Sequence, residues 1–187
     1  MTLLKPIFAG LAITMVASSA SAQVFVIGTG HGGECFENTQ RPMSNYNAAE
    51  SPCTKALRDE ALTYDNRAAT FVNRGIIKMR FAKYDEAIED YQSALKLRPN
   101  LGEAYLNEGA ALIYKQLYQS AIPKLDKAIE LKSSDLHAAY YNRAIALENT
   151  GNIAGAYYDF LKALELKPDW DRVEAQLSRF RVEEPPS

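Results

Sequence analysis

The chain has 187 residues, with 21 lysines and arginines against 23 aspartates and glutamates and a formal net charge of −2. That balance, without a clustered basic run, excludes a nucleic-acid surface. Its two histidines, His31 and His137, do not fall with cysteines and carboxylates at metal-ligand spacing, and no nucleophile elbow or kinase-like phrase occurs. Its acidic residues are spread as on solvated helix faces, so no enzyme activity, metal or cofactor is expected.

In chain order, Lys5, the apolar run Pro6 to Ala17 and the small residues Ser18 to Ala22 have the layout of a secretory signal peptide over 1–22, cleaved after Ala22. The apolar core is about a dozen residues, short of the ~20 that cross a bilayer. Gln23 stands where a lipid-anchored export signal would have cysteine. The expected product is periplasmic or secreted, with no membrane span and no lipid anchor; an uncleaved N-terminal anchor would use the same residues. Residues 23–33 read as a flexible lead-in, because Gly28 to Gly33 lack the lysine and spacing of a phosphate loop.

Ser51 and Pro52 suggest an N-cap and first residue for a helix from Cys53 to Leu62, with Ala56, Leu57 and Ala61 on its apolar side. An even cysteine count in an exported chain predicts a Cys35–Cys53 disulfide; two buried free thiols are the other reading.

From about Ala68 the chain repeats itself. Asn73-Arg74-Gly75, Asn107-Glu108-Gly109 and Asn142-Arg143-Ala144 start 34 and 35 residues apart. Ala87, Ala121 and Ala156 follow each small residue at one fixed distance, and Ala94, Ala128 and Ala163 open the phrases that end each unit. Tyr91, Leu125 and Phe160 occupy one equivalent position, and Pro99, Ser133 and Pro168 another. Each unit reads as two helices of about 14 residues with an apolar face at helical period, joined by a polar turn. Gly75, Gly109 and Ala144 are expected to let the two backbones of a unit approach closely, facing Ala87, Ala121 and Ala156. Pro123 is placed in the first turn of its helix, where a missing N–H is tolerated.

This pattern resembles the tetratricopeptide repeat (TPR) family. The resemblance implies an all-α, right-handed α-solenoid with units at 68–101, 102–135 and 137–170. A degenerate N-terminal hairpin at 34–67 would precede them, with Cys35 in its first helix. A capping helix over 170–181, started by Asp169 and carrying Trp170, Val173, Leu177 and Phe180, would follow, then a disordered tail at 182–187. Opposite charges recur at two further equivalent positions, as Arg74 with Asp90, Glu108 with Lys124 and Arg143 with Asp159. They predict an ion pair inside each hairpin, worth under about 1 kcal/mol if exposed.

The resemblance also implies that the first helices of the units line a concave groove for a protein or peptide partner. The lining would be Ala69, Val72, Asn73, Ile76 and Met79, then Glu103, Leu106, Asn107, Ala110 and Ile113, then Ala138, Tyr141, Asn142, Ile145 and Glu148. Asn73, Asn107 and Asn142 form a ladder of amides able to pair with a peptide main chain; bonding to a neighbouring loop or helix is the alternative role. The family's clamp for a C-terminal carboxylate needs lysine, asparagine and two basic residues where this chain has Val72, Ile76, Ala138 and Asn142, and only Asn107 matches it. A peptide-binding module is therefore expected, with a monomer favoured. The alternative is a self-associating scaffold subunit that uses the end surfaces of the solenoid.

Overall fold

A computed structural model describes residues 4–6 and 30–182, with side chains over 30–180. The leader cleavage site, most of the lead-in and the tail beyond Val182 lie outside the described residues.

Nine α-helices carry the described fold: α1 (His31–Gln40), α2 (Tyr46–Asp59), α3 (Tyr64–Arg80), α4 (Tyr84–Leu97), α5 (Gly102–Tyr114), α6 (Tyr118–Glu130), α7 (Leu136–Asn149), α8 (Ile153–Leu166) and α9 (Asp171–Leu177). Each packs on its chain neighbour, and α1, α3, α5 and α7 also touch in succession. This is the contact pattern of an α-solenoid, in which burial is local to adjacent repeats. Two three-residue strands, β1 (Leu4–Pro6) and β2 (Phe180–Val182), pair antiparallel with Lys5 opposite Arg181.

The hairpins turn by the same backbone device. Ala82, Gln116 and Gly151 occupy one equivalent position, and all have φ in the left-handed region, at 57°, 61° and 87°. In each, two backbone N–H groups return to the preceding helix, as Lys83 to Lys78, Leu117 to Leu112 and Asn152 to Leu147 for the longer bond. This Schellman arrangement satisfies carbonyls the helix end would leave open. Only the third unit places glycine there. The second unit also ends its second helix this way, at Lys132 (φ 52°), one residue before Ser133, where the other two units have Pro99 and Pro168. Its Ser133 lies against Gly102, where an added Cβ would meet the Ser133 Cα at 3.2 Å.

The small residues do hold the hairpins close, but their partners differ from the expectation. A Cβ on Gly75 would lie 2.4 Å from Cε1 of Tyr91, and one on Gly109 would lie 2.6 Å from Cγ of Leu125. The glycines therefore make room for the large side chains of Tyr91 and Leu125, four residues beyond Ala87 and Ala121.

The N-terminal hairpin begins earlier than the proline suggested. Helix α1 takes in Gly32 and Gly33, and the Glu60 carboxylate accepts from the N–H groups of His31 (2.7 Å) and Gly32 (3.4 Å). Helix α2 is capped by Asn45, whose side chain accepts from the Ala48 N–H, so Pro52 is inside the helix and Ser51 is not its cap. Pro123 is likewise inside α6, beyond its first turn. Cys35 and Cys53 are bonded, with Cα atoms 4.7 Å apart, and pack fully buried with Ala49 and Ile77.

Helix α3 holds this hairpin through three arginines. Arg67 donates to the Leu57 carbonyl at 2.8 Å, Arg74 to Thr54 Oγ1 at 2.9 Å, and Arg80 to the carbonyls of Asn38, Thr39 and Arg41. Arg67 and Arg80 thereby serve the C-terminal carbonyls of α2 and α1. Burial pushes the Arg80 pKa below its ordinary value.

At the other end, Asp169 adopts φ 57° and Trp170 is the N-cap residue of α9, which ends at Leu177 and does not reach Phe180. Phe180 leaves the helix and packs beside Tyr157 and Phe160, at ring distances of 5.6 and 6.0 Å.

Two stability measurements check this description. Gln116→Gly removes the left-handed penalty at a turn and should raise stability by about 0.5–1 kcal/mol in urea titration. Replacing Cys35 and Cys53 together by serine should cost about 3 kcal/mol in the chain-entropy view of the bridge, with hydrogen exchange accelerating first in α1 and α2.

Candidate functional site

The expected groove residues do fall on α3, α5 and α7, the helices that touch in succession. They are not open to solvent in this structure. Val72, Ile76, Leu106, Ile113, Tyr141 and Ile145 are buried in the two large core clusters, Ala110 is also buried, and Met79 is half-buried. Asn73, Asn107 and Asn142 are buried too, at 0, 4 and 0% exposure. The expectation of an exposed lining is corrected: periodicity identifies the face a helix turns inward but not what lies over it.

Over the third unit, part of that cover is visible. The Trp170 ring lies 5.0 Å from Tyr141 and 5.2 Å from His137, and Arg179 pairs with Glu148. Burial raises the Tyr141 pKa, against smaller opposing effects from Arg172 and a bond to Gln176. The residues after α8 thus close over two of the positions assigned to the groove.

The charge pairs are present in all three units. Arg74 holds Asp90 through two nitrogens at 2.9 and 2.7 Å, Arg143 holds Asp159 likewise at 2.7 and 2.8 Å, and Lys124 lies 3.0 Å from Glu108. The carboxylates are sealed in, with Asp90, Glu108 and Asp159 exposed by 2, 1 and 7%. The small energy expected of an exposed pair therefore does not apply; breaking a buried pair costs several times more. Burial opposes the charge on Arg74, yet its bonds to Asp90 hold its pKa above the ordinary value. Hydrogen bonding to Asp159 does the same, more strongly, for Arg143.

Each pair also reaches the preceding hairpin. Gln92 on α4 donates to Glu108 at 3.1 Å, Arg143 donates to Asp126 on α6 at 2.7 Å, and Arg74 meets Thr54 on α2. The sequence reading found the bond within each hairpin and missed the one between hairpins. Its signal is a polar residue two positions after the second-helix partner in the first two units, Gln92 and Asp126.

Five described cations near this face are thus engaged. Arg74 and Lys78 share Asp90, Arg143 is held by Asp159 and Asp126, Arg80 by carbonyls and Arg179 by Glu148. Among the described residues no group of histidine, cysteine and carboxylate side chains could hold a metal ion. No described helix is long and apolar enough to cross a membrane.

Family models described as TPR repeat and tetratricopeptide repeat match residues 83–116 and 137–170. The chain is a tetratricopeptide repeat protein. As a TPR chain it is 40% identical over 68 residues to the STIP1 homolog of Dictyostelium discoideum, a match covering 36% of this chain and 12% of that protein. With two further relatives it spans 19 and 8% of their lengths. Among solved structures, the crystal structure of MamA aligns with a TM-score of 0.66 at 23% identity, covering 81% of this chain and 82% of that one. The second TPR domain of human RPAP3, solved in complex with the HSP70 peptide SGPTIEEVD, aligns with a TM-score of 0.58 at 25% identity over 62% of this chain and 96% of that one.

The middle unit offers the cleanest test of the charge seam. In the first unit an exchange of Arg74 and Asp90 would set a carboxylate 3.8 Å or so from Glu50 and a cation against Lys78, so the pair there is not isolated. Glu108 and Lys124 have neutral neighbours instead, Gln92 beside the carboxylate and the Tyr105 ring beneath the ammonium. Glu108→Lys or Lys124→Glu alone should cost about 3 kcal/mol, and the double exchange should recover at least half of it in urea unfolding.

Proposed function

We propose that this chain is a non-enzymatic interaction module that takes an extended segment of a partner protein along α3, α5 and α7, in the periplasm or cell envelope. The observation that carries the reading is the row Asn73, Asn107 and Asn142, one amide per unit on adjoining helices, set among Val72, Ile76, Leu106, Ile113 and Ile145. An amide offers a donor and an acceptor to a peptide main chain, and the aliphatic neighbours suit apolar side chains.

The RPAP3 domain was solved with a peptide ending in Glu-Glu-Val-Asp. Here Val72, Ile76 and Ala138 stand where a carboxylate clamp would need charge or amide, and Arg74, Lys78 and Arg143 are held by the buried acids Asp90 and Asp159. The ligand favoured by this face is therefore apolar and extended, bound through its main chain, and not an acidic C-terminus.

Access follows from processing. The row is buried in the full-length chain, and Leu4–Pro6, part of the expected leader, is paired with Phe180–Val182 beside α8. Cleavage after Ala22 removes that strand, so the processed chain is the binding-competent form. The same export route gives Cys35 and Cys53 an oxidising compartment in which to form their bond.

Photocrosslinking in the native envelope should capture a partner on the processed chain and less of it on a variant whose leader cannot be cleaved. Joint replacement of Asn73, Asn107 and Asn142 by alanine should reduce capture at least tenfold in a protein whose circular dichroism is retained. Equal capture by the uncleaved and processed chains, or by the asparagine variant, would overturn the assignment.

A further inference from the structure

The outward stripe of each unit's second helix is exposed, and its chemistry changes along the array. On α4 it reads Asp85, Glu89, Gln92 and Lys96; on α6 it reads Gln119, Pro123, Asp126 and Glu130. On α8 the equivalent residues are Ala154, Tyr158, Leu161 and Glu165, all exposed, with Tyr158 at 63% and Leu161 at 40%. Exposure of the charged stripes on α4 and α6 means that solvent faces these positions even in mid-array. The lack of a fourth unit therefore does not explain why the last stripe is apolar. Leu161 also stands where Gln92 and Asp126 bond to the following unit. Helix α9 runs only from Asp171 to Leu177, and beside Glu174 it leaves a shallow cleft lined by Leu161, Leu164 and Pro168 with the carboxylates of Glu165 and Asp169.

We propose that this stripe of α8 is a weak self-association surface, occupied by the same stripe of a second copy in a two-fold arrangement. The order of residues is self-complementary. In an antiparallel pairing of two α8 helices with Leu161 at the axis, the Tyr158 ring of each copy falls beside the fourth residue of the partner's stripe. The Tyr158 hydroxyl then donates to the partner's Glu165 carboxylate. Lys162, 2.6 Å from Glu165 within one chain, keeps the two carboxylates from repelling across the seam. Isologous contacts of this kind need one patch to complement itself, and of the three stripes only that of α8 does so around an apolar residue, since α4 has Gln92 and α6 has Asp126 at the position of Leu161.

The size of the patch sets its strength. Helix α8 has 14 residues, about 21 Å, and a single stripe of that length falls well below the ~800 Å² per partner of a stable complex. The dimer is therefore concentration-dependent, with a dissociation constant on the order of 10–1,000 μM. This surface is on the outer side of the last hairpin and uses none of the asparagines on the first helices.

Sedimentation equilibrium of the purified protein from ~10 μM to ~1 mM tests the inference. A monomer–dimer equilibrium is expected, weakened at least tenfold by Leu161→Glu and by Tyr158→Glu, with circular dichroism and melting unchanged because both sites are exposed. Leu161→Cys should crosslink as a dimer under mild oxidation, whereas Glu89→Cys on α4 should not. A protein that remains monomeric throughout the range would overturn the proposal, as would dimers that form equally in both glutamate variants or a Leu161→Cys chain that fails to crosslink.

Discussion

A carboxylate with almost no contact with water lies in the seam of every full hairpin, and the cation that neutralises it comes from the opposite helix. Asp90, Glu108 and Asp159 would each be strongly disfavoured alone in that position. The hairpin can close only when Arg74, Lys124 or Arg143 arrives in register, because a shift by one residue turns the charge away from its partner. The same groups extend to the preceding hairpin through Thr54, Gln92 and Asp126. Stacking and hairpin closure thus depend on one set of polar contacts, and the aliphatic core fills in around a register that those contacts define. Hydrophobic burial supplies most of the driving force, but alanine-rich helices can slide against one another, and the charge seam limits that freedom.

The repeat was legible in the sequence because its period is long and its small residues recur at fixed separations. The pairing of Arg74 with Asp90 could be read because the sign reversed at Glu108 and Lys124 together. Less was visible where one residue type serves two local structures. Pro52 suits a first helical turn, but Asn45 supplies a cap seven residues earlier and the helix continues through the proline. Phe180 keeps the helical spacing of Trp170, Val173 and Leu177, yet its ring finds a place between Tyr157 and Phe160 that a continued helix would not reach. Arg67 and Arg80 of α3 escaped notice because their acceptors are backbone carbonyls, which have no sequence signature.

The reading of the candidate site met a different obstacle. Val72, Leu106, Tyr141 and the three asparagines are on the helices where repeat spacing places them, but spacing carries no information about what covers a face. Trp170 and Arg179 show how much the chain's own ends contribute, since both meet side chains assigned to a ligand. On the proposed reading, an amide row fixed in rigid helices instead of flexible loops leaves little rotamer freedom to be lost when a main chain docks against it.

The link between hairpins also bears on how such an array can change length during evolution. Gln92 is neutral, so removal of the middle unit would leave an amide opposite Arg143, a contact that both groups tolerate. Duplication of the middle unit would instead set Asp126 of one copy opposite Glu108 of the next, two acids at a closed seam. Copying the last unit would place Leu161 opposite Arg143 and leave that guanidinium without its second acceptor. The array can therefore be lengthened by copying its first unit, which sets Gln92 opposite Arg74, but not so readily by copying the second or third: the restriction is written in the one residue that each second helix presents to its successor.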